Sequence, residues 1–342
     1  MGWLGNLISK VRGEPSTVLT FVPFVPAPRL AIPGLNAVFE PDNCYVELYL
    51  ESLRLEQARR LGTSFSGVVY SFLTLPREGE AKASLAAVSK PQKLVELDAT
   101  AINNVIVVSK QLTAPTAYRG GPISLELGLF SVKTGNVVTS LLDYVSRVSS
   151  VAGISSVGAV APFLPLITEG MDLLAGQQGN TVLEVGLDTD FTPERGCIAA
   201  IIDCPKGTLK SDKLTIDEDR RLLHDGTEVN YGYALFSIRV SKTKPDYGEI
   251  PDLKDRYAAF QAAVRRGNKL EARDALTAFR LACIASPDLT IADAQALATK
   301  ARAKFDIAFP PGSDAEVGGG GPDVGNLEGL KLYGGETAGA ES

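Results

Sequence analysis

Apolar and polar residues alternate with a period of two along much of the first 245 residues. The clearest runs are Cys44 to Leu55 and Ile123 to Val132. This alternation predicts strands of an antiparallel sheet with one apolar face and one solvent-facing face. Further strands are predicted at Phe65–Leu75, Lys93–Asp98, Val105–Leu112, Thr181–Asp188, Cys197–Asp203, Thr208–Ile216, Arg220–His224 and Tyr231–Ser241. Two such sheets, packed face to face, would form a β-sandwich.

The period of the apolar residues changes from two to that of a helix between residues 136 and 176. Val137 to Val148 has apolar residues at helical spacing, and a second apolar segment runs from Val157 to Leu174, where two prolines interrupt it. Strands are predicted again after it. We therefore expect a β-rich domain over residues 14–245 that carries an apolar helical pair inserted at 136–176.

Helical spacing returns after residue 251 and continues to residue 309. Short breaks at Gly267-Asn268 and Ser286-Pro287 divide this region into three helices, the last of them rich in alanine. This pattern predicts a small C-terminal helical domain. The predicted fold class is therefore α+β: an antiparallel β-sandwich-like domain with an inserted helical pair, followed by a helical domain.

The two ends of the chain have their own patterns. Residues 1–13 are expected to form an amphipathic helix, and prolines between Pro23 and Pro33 favour an extended path. Residues 310–342 are rich in glycine and acidic, which is typical of a disordered tail. An apolar island within the tail is a candidate docking strand, with the candidate contact residues Leu327, Leu330, Leu332 and Tyr333.

Composition limits the classes of function. The chain is 45% hydrophobic and 22% charged, with a formal net charge of −6, which argues against a nucleic-acid-binding protein. Its four cysteines form no CxxC pair, and we find no secretory signal, so reduced thiols and a cytoplasmic location are expected. The single histidine, His224, would have to serve any triad-type hydrolase, and its place before Asp225-Gly226 is typical of a surface turn.

Two segments suggest contact with a membrane or a partner. The first is the N-terminal helix, and the second is Val148 to Thr168, which has no charged residue and is long enough to cross a bilayer. The candidate contact residues in these segments are Trp3, Leu4, Leu7, Ile8, Phe163 and Leu164. Burial of the second segment in a core explains the same pattern.

Carboxylates provide the remaining candidate chemistry. Aspartates at strand ends (Asp98, Asp188, Asp190 and Asp203) are the residue type that binds calcium, although they are also ordinary turn formers. Glu47, Glu126 and Asp188 are candidates for acid–base work without a histidine. No spacing fixes a site from either set, so we predict no catalytic, metal-binding or cofactor-binding residue, and no cofactor.

The predicted function is that of a non-enzymatic interaction or adaptor protein, as a subunit of a larger assembly. A protein partner would dock on the sheet surface, the C-terminal helices or the tail. One alternative is a membrane-active effector that is held inactive in a soluble form. A second alternative is an enzyme of unfamiliar type that uses carboxylates.

Overall fold

A computed structural model describes residues 19–54, 65–77, 80–89, 105–113, 115–133, 181–205, 207–310 and 321–333. Within these ranges the fold is mixed α+β, which confirms that part of the prediction. The predicted N-terminal helix, the helical insertion at 136–176 and the strand at Lys93–Asp98 lie outside the described residues.

The described strands form antiparallel sheets. Their bounds are β1 (Leu19–Val22), β2 (Tyr45–Arg54), β3 (Phe65–Arg77), β4 (Glu80–Ser89), β5 (Ile106–Gln111), β6 (Thr116–Ala117), β7 (Ile123–Lys133), β8 (Thr181–Phe191), β9 (Cys197–Asp203), β10 (Leu214–Ile216), β11 (Leu222–His224), β12 (Thr227–Glu228) and β13 (Gly232–Ser241). One sheet has the order β1-β9-β13-β2-β5, with β6 also paired to β2. A second has the order β4-β3-β7-β8, and β10-β11-β12 form a small third sheet.

The main core lies on the largest sheet. Leu48, Phe236 and Ile238, from its two central strands, are fully buried. Ile123 and Leu125 of β7 belong to the same apolar cluster, so a strand of the second sheet also contributes to this core. Burial of such side chains is the main favourable term for folding.

The second face of β2 differs from the prediction. We expected alternation with one solvent-facing side, but Glu51, Ser52 and Arg54 are each no more than 4% exposed. The loop before β11 and the residues after β12 cover this face. Ser52 Oγ donates to the Arg220 carbonyl at 2.7 Å, and Arg54 donates to Asn230 at 2.9 Å. These polar residues of β2 therefore lie on a buried, hydrogen-bonded surface rather than on a solvent-exposed one.

Several strand bounds also differ from those predicted. Only Leu214–Ile216 of the strand expected at Thr208–Ile216 is extended, because Ser211–Lys213 form a 3-10 turn. The strand Glu80–Ser89 was not predicted, since its alanine-rich sequence has no strong strand preference. The strand Leu19–Val22 was also not predicted; it ends directly before the proline-containing segment that begins at Pro23.

Three helices follow the sheets, as predicted: α1 (Pro251–Arg265), α2 (Lys269–Ala285) and α3 (Ile291–Ala308). Asn268 caps α2, and Thr290 caps α3, by accepting the backbone N–H of Glu271 and Asp293. The helices share an apolar core that includes Tyr257, Phe260, Phe279, Leu297 and Phe305.

The tail predicted over residues 310–342 contains an apolar island, and part of the tail packs against the rest of the chain. Residues 321–333, which we call the tail segment, pack on the helices, and Val324, Leu327 and Leu330 are buried in the helical core. The island is not a strand, since Glu328–Leu330 form a 3-10 turn. Burial of these three apolar side chains favours the docked position of the tail segment.

Candidate functional site: the outer face of α2 and its supports

The outer face of α2 carries an exposed apolar stripe. Leu270, Leu281 and Ile284 are 68%, 63% and 64% exposed. Spacings of eleven and fourteen residues bring them to one side of a helix with about 3.6 residues per turn. The opposite side buries Ala272, Leu276, Phe279 and Cys283. Two exposed polar residues, Asp274 and Thr277, lie on this outer side between Leu270 and Leu281. The outer face therefore carries three exposed aliphatic side chains with polar residues among them.

Arginines line one margin of this stripe. Arg273 follows Leu270 by three residues and Arg280 precedes Ile284 by four, which places each arginine beside one residue of the stripe. Within the described part of the chain neither guanidinium has a carboxylate at ion-pair distance. Arginines elsewhere on the helices do pair: Arg256 with Asp252 at 2.8 Å and Arg302 with Asp306 at 3.0 Å. The margin of the stripe is consequently electropositive.

A buried carboxylate fixes the helices to the sheet. Asp293, in the first turn of α3, is 8% exposed, and its Oδ2 accepts the hydroxyl of Tyr45 at 2.5 Å. The Tyr45 hydroxyl also accepts the backbone N–H of Thr290 at 3.1 Å. Burial and the Asp293 carboxylate raise the pKa of Tyr45, because a tyrosinate there would be desolvated and beside a negative charge. The Tyr45 hydroxyl therefore stays neutral in this contact, and its hydrogen bonds hold it in place.

The tail segment ends at the same carboxylate. The Tyr333 hydroxyl donates to Asp293 and accepts the backbone N–H of Lys244 at 2.9 Å. Two further tyrosines hold the tail segment: the Tyr247 hydroxyl donates to the Glu328 carbonyl at 3.0 Å, and the Tyr257 hydroxyl donates to the Val324 carbonyl at 3.3 Å. Sheet, helices and tail segment therefore meet at Asp293, and the helix bundle that presents the stripe is held from two sides.

A second buried charge cluster lies on the sheet. Glu51 is 1% exposed, and its carboxylate accepts Arg239 Nη2 at 2.6 Å and the hydroxyl of Ser237. Arg220 Nε lies 3.5 Å from the other carboxylate oxygen. Arg220 and its hydrogen-bond partner Ser109 both have positive φ angles, 57° and 46°. Since two guanidinium groups neutralise the carboxylate, its role is to fix the loop before β11 on the sheet.

The predicted contact residues have different outcomes. Trp3, Leu4, Leu7, Ile8, Phe163 and Leu164 lie outside the described residues. Leu327 and Leu330 are buried against the chain's own helices, and Leu332 and Tyr333 pack at the edge of the same core. Within this chain these four side chains are thus already engaged, and their contact with a partner stays a prediction.

The other predicted residues do not come together as a site. His224 lies in the β11–β12 hairpin, where its Nε2 accepts the backbone N–H of Lys210 at 3.2 Å. All four cysteines are buried, and burial raises the pKa of Cys197 to about 11 and of Cys283 to about 12. Such thiols are poor nucleophiles near neutral pH.

The candidate carboxylates are spread over two sheets. The register places Glu126 directly opposite Asp188 on β7 and β8, whereas Glu47 lies on β2. Asp190 and Asp203 lie on β8 and at the end of β9, and Asp98 is not among the described residues. Among the residues that the structure describes, no group of His, Cys, Asp and Glu has metal-binding geometry.

Sequence reasoning missed the exposed stripe and Asp293. Apolar residues at helical spacing predict a helix without showing which of its sides is covered, and Leu270 and Leu281 lie on the side of α2 opposite Cys283. A helical projection would have separated them. Asp293 has no local sequence signal for this role, because its partner Tyr45 lies 248 residues away.

Comparison of the chain with protein-family models, curated proteins and solved structures gave no match. In the described part of the chain, no helix has the length and apolar character needed to cross a membrane.

Proposed function

We propose that this chain is a non-enzymatic interaction protein whose C-terminal helices dock a protein partner on the outer face of α2. The observation that carries this proposal is the stripe of Leu270, Leu281 and Ile284, each more than 60% exposed on a well-packed helix. Three aliphatic side chains held in water on one rigid face favour association, since burial of each is worth about 1.5–3 kcal/mol.

The charge beside the stripe indicates the partner's chemistry. Arg273 and Arg280 have no carboxylate partner among the described residues, so an acidic segment can pair with both. A helix with apolar residues at three- and four-residue spacing and glutamates beside them matches both features of the surface. We therefore propose an acidic amphipathic helix of another protein as the occupant.

The architecture supports this role as a rigid platform. In our proposal the two larger sheets face each other as a sandwich within a β-rich domain, since Ile123 and Leu125 of β7 join the core of the largest sheet. The helices of 251–309 form a small domain that is fixed on it through Asp293. The inserted helical pair, the N-terminal helix and a cytoplasmic location stay predictions from the sequence.

A designed peptide tests the proposal directly. A fluorescent helical peptide with a leucine stripe and flanking glutamates is titrated with the full chain, and anisotropy reports binding. The double variant Leu281→Asp/Ile284→Asp is expected to weaken binding at least about tenfold, because two apolar contacts are lost and the peptide's glutamates are repelled. The matched control is Ile307→Asp, at a side chain that is 71% exposed on α3.

Charge reversal adds a second criterion. Arg273→Glu/Arg280→Glu should reduce affinity for the acidic peptide and increase affinity for the same peptide with lysines in place of glutamates. Absence of binding by the unmodified chain, or an equal loss in the Ile307→Asp control, would contradict the proposal. Self-association through α2, detected by sedimentation, would identify a second copy as the occupant instead.

A further inference from the structure

A cleft of about 490 Å³ lies between the loop after β1 and the segment that joins β8 to β9. Its volume is within the range of small-molecule sites, about 300–1,000 Å³. Its walls combine apolar side chains, among them Phe24, Val25, Leu30 and Leu35, with the charged Glu194 and Arg195. The cleft is on the sheet, and none of its residues belongs to the helices that present the proposed docking face.

Backbone hydrogen bonds fix both ends of this cleft. The Val25 N–H donates to the Ile198 carbonyl at 2.8 Å, and the Asn36 N–H donates to the Gly196 carbonyl at 2.9 Å. Gly34 and Gly196 let the loop approach the sheet closely: a Cβ on Gly196 would lie 2.1 Å from the Gly34 carbonyl oxygen. The cleft is therefore formed before any ligand arrives, which lowers the entropic cost of binding.

Phe24 lines the cleft, and both its exposure to solvent and its backbone conformation are unfavourable. Its side chain is 50% exposed, and its φ angle is +60°, a region that bulky residues rarely adopt. An aromatic residue that is both strained and half in water is unexplained by folding alone. Such positions concentrate at ligand-binding sites.

Arg195 places a positive charge beside these apolar walls. Its Nη1 donates to the Asn36 carbonyl at 3.1 Å, which anchors the guanidinium at the edge of the cleft. Within the described residues no carboxylate lies at ion-pair distance from it, although Glu194 is its neighbour in the chain. The remaining guanidinium donors are available to an acceptor.

We infer that this cleft binds an aliphatic monocarboxylate, with its chain along the apolar walls under Phe24 and its carboxylate on Arg195. A guanidinium fork matches a carboxylate in geometry and charge. The side chains of Val25, Leu30 and Leu35 offer apolar contact to an aliphatic chain.

Calorimetric titration of the full chain with dodecanoate, dodecanol and dodecylammonium tests the inference, because these probes share a tail and differ in head group. The chain should bind dodecanoate about tenfold or more tightly than either of the others. Arg195→Gln should remove this preference by weakening dodecanoate alone. The matched control Arg29→Gln, at an exposed arginine of the same loop outside the lining, should change affinity less than about twofold.

The Phe24→Gly variant locates the tail. Glycine accepts the positive φ, so the fold is kept, and an unchanged urea midpoint checks this. Loss of the aromatic cover should weaken dodecanoate and dodecanol by the same factor. No binding of dodecanoate, a preference for dodecylammonium, equal affinity in Arg195→Gln, or full affinity in Phe24→Gly would each overturn the inference.

Discussion

Buried charge is the distinguishing feature of this molecule at the scale of single residues. Glu51 and Asp293 are both buried, and each is held by side chains from distant parts of the chain. A buried carboxylate adds little net stability when it is paired, but removal of one partner leaves an uncompensated charge. These two residues therefore specify how loops and helices are placed on the sheet.

Neutralisation of Glu51 should be costly. Glu51→Gln leaves the largely buried Arg239 without its counter-ion, so the free energy of unfolding in urea should fall by about 3 kcal/mol. The control is Glu40→Gln, at a solvent-exposed pair with Lys242, which should cost at most about 1 kcal/mol. Equal effects of the two substitutions would show that the Glu51 cluster has no special role.

The buried thiols give a prediction of pH dependence. Burial raises the pKa of Cys197 to about 11 and of Cys283 to about 12, so the reactive thiolate is scarce at neutral pH and increases as the pH rises towards these values. Iodoacetamide should label the native chain very slowly at about pH 8 and all four cysteines rapidly in urea. Mass spectrometry of the digested protein measures both. Rapid native labelling of either cysteine would contradict the described burial.

At the scale of elements, the sequence predicted helices and strands well where the signals lie close together in the chain. The three helices were expected within a few residues of their observed ends, because Gly267-Asn268 and Ser286-Pro287 are strong stop and cap signals. The buried second face of β2 was not predictable in the same way. Glu51 looks solvent-facing in sequence, and the arginines that bury it, Arg220 and Arg239, are more than 160 residues away.

The N-terminal cap of α2 is an element that can be tested alone. Asn268 Oδ1 accepts the backbone N–H of Glu271 at 3.0 Å, so Asn268→Ala should cost about 1 kcal/mol of unfolding free energy. Asn268→Asp keeps an acceptor oxygen and suits the helix N-terminus, and should therefore be close to neutral. Thermal and urea unfolding of both variants check this; similar losses in both would argue that the cap contributes little.

At the scale of the whole molecule, the largest described sheet, α3 and the tail segment are joined at Asp293. Tyr45 of β2 and Tyr333 of the tail segment donate to the same carboxylate on α3. The tail segment covers the helical core with Val324, Leu327 and Leu330. Long-range hydrogen bonds of this kind are invisible to periodicity, which explains why the sequence predicted the helices but not their attachment.

Truncation of the tail tests this attachment. Removal of residues 311–342 deletes three buried aliphatic side chains and exposes the part of the helical core that they cover. The free energy of unfolding should fall by several kcal/mol, at about 1.5–3 kcal/mol for each lost side chain. Removal of residues 334–342 alone leaves the tail segment intact and should have little effect. Urea unfolding compares the two, and equal stability of both truncations would contradict the packing of the tail segment.

The most direct test of the central claim is photo-crosslinking at single positions of the full chain in its native host. A photoreactive amino acid replaces Leu281 on the stripe of α2 or, as the control, Ile307 on α3; these side chains are 63% and 71% exposed. Mass spectrometry then identifies the attached peptides. The account predicts that position 281 captures acidic, amphipathic helical segments of one partner and that position 307 does not. No crosslinks at position 281, or the same products at both positions, would contradict it.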